Sequence, residues 1–215
     1  LNEPARILAV RHGQTAWNAE TRMQGQLDTA LDDIGRWQAE RLADALRDES
    51  IDLIVASDLQ RTLQTAAPLA RMKGIDVITE RGLRERAFGV FEGHTYDDIH
   101  RRWPDDAARW RSRDIAFAPA GGESLQGFHA RCVDTASRLC AQYPGRAMVW
   151  VTHGGVLDCL YRAATRVELN APRTWGLANA AINRLLHGDQ GLMLVGWGDV
   201  RHLDEQQSGA VAGKT

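Results

Sequence analysis

Residues 6–18 read Arg6-Ile7-Leu8-Ala9-Val10-Arg11-His12-Gly13-Gln14-Thr15-Ala16-Trp17-Asn18. The opening apolar run suits a strand buried on both faces of a sheet. It empties directly into a permanent cation, an imidazole and a glycine, followed by several hydrogen-bond donors. Arg11 and Asn18 carry N–H groups suited to phosphate oxygens, and Gly13 allows close backbone approach. Taken alone, His12 would read as a structural or surface histidine. Its setting in a polar loop at a strand end makes it a candidate site residue.

The same passage from strand to polar loop recurs. Residues 51–55 form a second apolar run, after which Ser57 and Gln60 have the spacing of a capping box, predicting a helix through about Arg71. Gly74 ends that helix, and residues 75–78 make a third strand. Residues 147–151 are a fourth, running into Thr152-His153-Gly154-Gly155 and another helical stretch. Asp32 can cap a helix with Ile34, Trp37, Leu42 and Leu46 inward, and Ser124 one with Phe128, Val133, Ala136 and Cys140 inward. Residues 181–186 and 192–196 flank Gly188-Asp189-Gln190-Gly191, a hairpin signal. This alternation predicts a three-layer α/β/α sandwich, mostly parallel, with an antiparallel edge strand. We expect one domain over residues 1–215, with an excursion of short helices and loops at about 81–122 and a flexible tail at about 204–215. Ligands of such sheets bind outside the carboxyl ends of the strands. That rule singles out Arg11-His12, the stretch from Ser57 to Arg61, and Thr152-His153.

Composition narrows the partners. With 44% hydrophobic and 25% charged residues and a formal net charge of −2, the chain is an ordinary globular protein. It lacks the basic surface expected for nucleic acid or an anionic membrane. No run approaches the length of a membrane span, and no signal-peptide pattern opens the chain. Cys132, Cys140 and Cys159 show no C-x-x-C spacing, so they read as free thiols in a reducing cytoplasm. Neither a nucleotide loop nor a dinucleotide fingerprint occurs, so no cofactor is called for. His94, His100, His129, His187 and His202 have no ligand spacing, and no metal is expected, because arginines supply the positive charge.

Arg-His-Gly-x-Thr-x-x-Asn after the first strand resembles the signature of the histidine phosphatase (phosphoglycerate mutase-like) superfamily. The resemblance continues through Gln24-Gly25, Ser57-Asp58-Leu59-Gln60-Arg61 with Gln64-Thr65-Ala66, and Leu83-Arg84-Glu85. It extends to Gly89, Glu92-Gly93, Gly122-Glu123-Ser124 and Thr152-His153-Gly154-Gly155, in family order along most of the chain. It implies that His12 attacks phosphorus and becomes phosphohistidine, with Arg11, Arg61 and His153 binding the transferring phosphoryl group. Asn18, Gln24, Gly25 and Gly154 would contact the substrate, and Glu85 would donate the proton to the leaving group. Phosphoryl transfer asks chiefly for positioning and charge stabilisation, which fixed guanidiniums provide.

The superfamily holds phosphatases and mutases. Cofactor-dependent mutases commonly show Glu-Arg-His-Tyr-Gly around the acid, where this chain has Glu85-Arg86-Ala87-Phe88-Gly89. Hydrolysis of a small phosphorylated metabolite is therefore the expectation, with phosphoglycerate mutase activity as the alternative. A silent phospho-ligand binding protein and a metal-dependent hydrolase stand further off. Gln14 is a mild departure where Glu is frequent. Arg101, Arg102, Arg109, Arg111 and Arg113 could meet a second anionic group or form a solvated helix face balanced by Asp97, Asp98, Asp105 and Asp106. Trp103 and Trp110 read as core or lid packing. A homodimer fits the resemblance, although no apolar stripe marks its surface.

Overall fold

The computed structural model describes residues 3–204. The tail expected from position 204 lies, past Asp204, outside the described residues. Strand β1 (Ala5–Arg11) is followed by helices α1 (Ala16–Ala19) and α2 (Asp33–Ala45), then by β2 (Leu53–Ala56), α3 (Gln60–Lys73) and β3 (Val77–Thr79). Helices α4 (Tyr96–Arg102) and α5 (Pro104–Arg111) belong to the excursion. The order closes with α6 (Leu125–Gln142), β4 (Ala147–Thr152), α7 (Gly154–Thr165), β5 (Ile182–Gly188) and β6 (Gly191–Asp199).

The strands form one sheet in the order β3-β2-β4-β1-β5-β6. Pairings among β3, β2, β4 and β1 are parallel, and β5 and β6 add the antiparallel hairpin at one edge. Every residue of β4 is buried, as a central strand covered on both faces requires. Its side chains alternate between two cores. Met148 and Trp150 pack with Phe128, Cys132 and Leu139 of α6 and with Val156 and Leu160 of α7. Val149 and Val151 pack with Leu42 and Ala43 of α2 and with Ala66 and Leu69 of α3. Helices therefore cover both faces, and the three-layer expectation holds.

Four local expectations need correction. The Ser57–Gln60 capping box does not form, because α3 begins at Gln60 with Leu59 at the cap position and no side-chain cap. The Ser57 hydroxyl lies within 3.0 Å of His153 Nε2 instead. Ile34, expected inward, is 43% exposed, and the small Gly35 and Ala39 take the buried face with Leu42. On α6, Cys132 and Ala136 are fully buried while Val133 is only partly so. The second and third strands also sit later than expected, at Leu53–Ala56 and Val77–Thr79.

The start of α2 is locked to the loop after β1. Asp32 caps the helix, its Oδ1 accepting from Gly35 N at 2.7 Å, and its own N–H donates to the Gln14 carbonyl at 3.1 Å. The Gln14 side-chain amide donates to Asp32 Oδ2 at 3.0 Å; a Glu at position 14 would instead set two carboxylates face to face. The backbones come so close that a Cβ on Gly35 would stand 2.0 Å from the Gln14 carbonyl oxygen. Glycine to alanine in an open helix interior gains about 1 kcal/mol. Here it must push α2 off the loop, and overpacking of that kind costs about 1–3 kcal/mol. Gly35→Ala is therefore expected to lower the urea midpoint with an unchanged m-value; a midpoint equal to or above the parent's would contradict this packing.

Candidate active site

The sheet brings the three polar strand ends together. His12, just past β1, donates its backbone N–H to the Thr152 carbonyl at 2.9 Å, and Ser57, just past β2, donates to the Val151 carbonyl at 3.0 Å. Both therefore flank the end of β4, where His153 begins the turn into α7. The His12 and His153 rings lie 5.3 Å apart, centroid to centroid. Arg61, in the first turn of α3, is fully buried and donates from Nε to His153 Nδ1 at 3.3 Å. Its terminal nitrogens donate to the Leu27 carbonyl at 2.8 Å and the Gly25 carbonyl at 2.7 Å.

Ring contacts assign the tautomers. His12 Nδ1 is 2.7 Å from the Gly13 carbonyl oxygen. A carbonyl only accepts, so Nδ1 carries the proton and Nε2 keeps a free lone pair. His153 is the opposite case. Its Nδ1 accepts from Arg61, so Nε2 carries the proton and donates to the Ser57 hydroxyl. Burial, followed by the Arg11 and Arg61 charges, holds the His12 pKa well below the ordinary histidine value, against a smaller opposing effect of the Gly13 carbonyl. His153 is depressed in the same direction by burial, then by Arg61, His12 and Arg11. Both rings are thus neutral at physiological pH. Burial also lowers Arg61, to about 10, against the attraction of Glu85 and Asp28; it remains a cation.

Arg11 and Glu85 complete the cluster. A terminal nitrogen of Arg11 donates to the Leu177 carbonyl, while Arg11 Nε is buried without a partner. Burial lowers the Arg11 pKa, with Glu85 opposing and Arg173 reinforcing that shift. Glu85 is fixed from two sides, its oxygens accepting from Arg86 N at 2.8 Å and Gly155 N at 3.0 Å. A Cβ on Gly155 would stand 2.2 Å from Glu85 Oε1, so only glycine lets the carboxylate reach the start of α7. Gly154, the first residue of α7, packs against Arg11. These residues line a cleft of about 650 Å³ that continues past Met23, Phe88, Trp110 and Phe128.

The other named residues sit around this cluster. Asn18 Oδ1 accepts from Thr15 N at 3.0 Å and from Thr15 Oγ1 at 3.1 Å, closing the capping box of α1. Gln24 Oε1 accepts from Thr15 Oγ1 at 3.0 Å and Thr29 Oγ1 at 2.6 Å. The amide NH₂ of each is thereby turned away from these bonds. Gly25 contributes its carbonyl to Arg61. Cys132, Cys140 and Cys159 are all buried and free of disulfides; burial raises the Cys132 thiol and pushes Cys140 up to about 12, so neither of these two is a poised thiolate.

Thr65 entered the sequence reading only as part of a motif, and Leu177 and Asn179 were not singled out at all. Thr65 Oγ1 accepts from Gly13 N at 2.9 Å and donates to the Arg61 carbonyl at 2.7 Å, joining the His12 loop to α3. Asn179 donates to the His12 carbonyl at 2.8 Å. One signal could have found Asn179 and Leu177. β5 runs antiparallel to β1, so the chain just before β5 must lie beside the chain just after β1, as the 3.0 Å bond from Ala180 N to the Arg11 carbonyl shows.

Guanidiniums drawn out of water, paired neutral imidazoles and a fixed carboxyl at parallel strand ends give an α/β fold a site with the charge to receive an oxyanion. Residues 7–200 match the histidine phosphatase superfamily (branch 1), and the chain belongs to that superfamily. Phosphoglycerate mutase-like protein 4 of Arabidopsis thaliana is 39% identical over 206 residues, spanning 94% of this chain and 88% of the relative. Glucosyl-3-phosphoglycerate phosphatase of Mycobacterium tuberculosis is 37% identical over 189 residues, 84% of either chain. The structure of mycobacterial glucosyl-3-phosphoglycerate phosphatase complexed with VO3 superposes with a TM-score of 0.78 at 35% identity, covering 90% of this chain and 98% of that one.

Depressed imidazole pKa values also act on stability. The unfolded chain takes up protons near pH 6.5, whereas the folded His12 and His153 refuse them. The unfolded state then binds more protons, so stability falls as pH drops below about 6.5. Calorimetry between about pH 7 and pH 5.5 is expected to show Tm declining with acid, and declining less steeply in His153→Gln. Equal slopes in the two proteins would refute a buried neutral His153.

Proposed function

We propose that this enzyme hydrolyses small phosphate monoesters through a phosphohistidine on His12, without a metal ion. The observation that carries the reading is the bond from His12 Nδ1 to the Gly13 carbonyl. It leaves an unprotonated Nε2 near the buried guanidinium of Arg61 and the half-buried one of Arg11.

In the first step, the Nε2 lone pair attacks phosphorus while the ester P–O bond breaks. Glu85 acts as general acid, passing a proton to the departing alkoxide. Arg11 and Arg61 offset the charge on the equatorial oxygens. The α3 dipole adds to that field, since Arg61 stands at the positive end of its helix. In the second step, Glu85 takes a proton from water as the water oxygen attacks phosphorus, the P–N bond breaks, and inorganic phosphate leaves. Asn18 and Gln24 supply amide donors to the phosphate and substrate, Gly25 and Gly154 offer backbone to it, and His153 steadies the phosphoryl site through Arg61. The substrate is a small phosphorylated metabolite.

Hydrolysis is favoured over transfer between positions of phosphoglycerate by the wall of the cleft. Where mutases carry a Tyr hydroxyl, Phe88 presents an apolar ring, edge-on to Trp110 at 5.3 Å between centroids. The relative with bound VO3 is a phosphatase holding an oxyanion, which supports the same kind of ligand here.

Phosphate release from p-nitrophenyl phosphate in EDTA is expected for the parent and absent in His12→Ala, with acid-labile phosphate trapped on the parent alone. Arg11→Ala and Arg61→Ala should each lose about 10²–10³ in kcat; losses below about tenfold in both would remove these arginines from the mechanism. Glu85→Gln should slow phosphoenzyme formation most with poor leaving groups. A uniform small effect across leaving groups would take the acid role away from Glu85.

A further inference from the structure

Between α7 and β5 the chain runs through residues 166–181 with no helix or strand, so no backbone ladder fixes its path. Its far end nevertheless meets the phosphoryl site. The Leu177 carbonyl accepts from Arg11, and Asn179 donates to the His12 carbonyl. Arg11 Nε is buried without a partner, so the direction of that guanidinium depends on where Leu177 stands.

One buried side chain of α7 holds this segment. Arg162 is 1% exposed, and its planar fork is used on three sides. Nε donates to Asp158 Oδ2 at 2.9 Å, one terminal nitrogen to the Glu168 carbonyl, and the other to the Ala171 carbonyl at 3.0 Å. The guanidinium also lies over the Trp175 ring, 4.8 Å from its centroid. Trp175, two residues before Leu177, stacks on Tyr161 of α7 with 3.9 Å between centroids. Asp158, itself buried, accepts from Arg113 as well at 3.1 Å, and Arg113 reaches the Leu169 carbonyl at 2.9 Å. Residues 168, 169, 171 and 175 are thus tied to α7 through the Asp158–Arg162 pair. A buried ion pair is often no more stabilising than apolar residues of the same volume. What it adds here is direction, because a guanidinium can address two carbonyls and a carboxylate at once.

We propose that Arg162, seated on Asp158 and Trp175, is a positioning residue for phosphoryl transfer. It fixes residues 168–175 so that the Leu177 carbonyl aims Arg11 at the phosphoryl oxygens. This rests on the role given to Arg11 in the phosphatase reading and extends it to a residue that does not line the cleft.

The test is a double-mutant cycle on p-nitrophenyl phosphate hydrolysis by the full chain. Arg162→Lys keeps a cation beside Asp158 and removes the fork. Misplacing a catalytic group by about 1 Å costs up to about 10²-fold. Arg162→Lys is accordingly expected to lower kcat about tenfold in the parent and less than about twofold in Arg11→Ala, where no guanidinium is left to aim. A residue serving stability alone would lower Tm and cost the same factor in both backgrounds. Trp175→Leu, which leaves the buried pair intact, should show the same dependence on Arg11, and it decides alone if Arg162→Lys does not fold. Equal factors in both backgrounds, or folded variants within about twofold of the parent, overturn this inference while the phosphatase reading stands. A parent that releases no phosphate, or an Arg11→Ala that loses less than about tenfold, removes the role of Arg11 and this inference with it.

Discussion

The site depends on two backbone hydrogen bonds at the end of one strand. His12 and Ser57 each donate an N–H to a carbonyl of β4, at Thr152 and Val151. Neighbouring strands lie about 4.8 Å apart, so these bonds set the spacing between the loops that carry His12, Arg61 and His153. No side-chain contact could hold them so well, because each bond continues a ladder running the length of the sheet. The buried apolar faces of β4 keep that ladder dry on both sides.

The electrostatic design follows from that spacing. Arg61 is taken out of water and Arg11 largely so, with no carboxylate among the described residues bonded to either; backbone carbonyls of Leu177, Leu27 and Gly25 hold them instead. Carbonyl dipoles orient a guanidinium but do not neutralise it. Surplus positive charge therefore remains where the strands end, and it adds to burial in keeping both imidazoles unprotonated. The same burial that leaves His12 Nε2 unprotonated leaves the pocket in want of an anion. Glu85 is kept at the cleft wall by α7 and Arg86 backbone rather than being drawn into an ion pair with those arginines.

Much of this could be read from the chain. Continuous apolar runs ending in Arg11-His12 and Thr152-His153 revealed buried parallel strands and their functional ends, because composition along a central strand is dictated by burial. The Gly188–Gly191 turn revealed the edge hairpin for the same local reason. Ser57 was misread because a Ser three residues before a Gln has the spacing of a helix cap, while its actual partner, His153, is 96 residues away. Thr65 stood in a family motif with no role assigned to it, and Leu177 and Asn179 left no local trace. They serve through contacts 52 to 167 residues distant in sequence, and only strand order and direction reveal such neighbours. Ile34 faces solvent because α2 approaches its loop backbone to backbone at Gly35, a choice of helix face that hydrophobicity alone does not encode.

The excursion that bears the outer cleft has a small core of its own, with Phe91, Ile99, Ala107 and Phe117 buried together apart from the two cores that clamp the sheet. Trp103 and Trp110 pack against that cluster. Its helices can consequently be exchanged, lengthened or recoloured with new side chains while the strand ends stay as they are. On the phosphatase reading, such a scaffold can retune which ester is admitted without reinventing how phosphorus is handled, and an engineer redesigning selectivity would start with the segment whose packing is already its own.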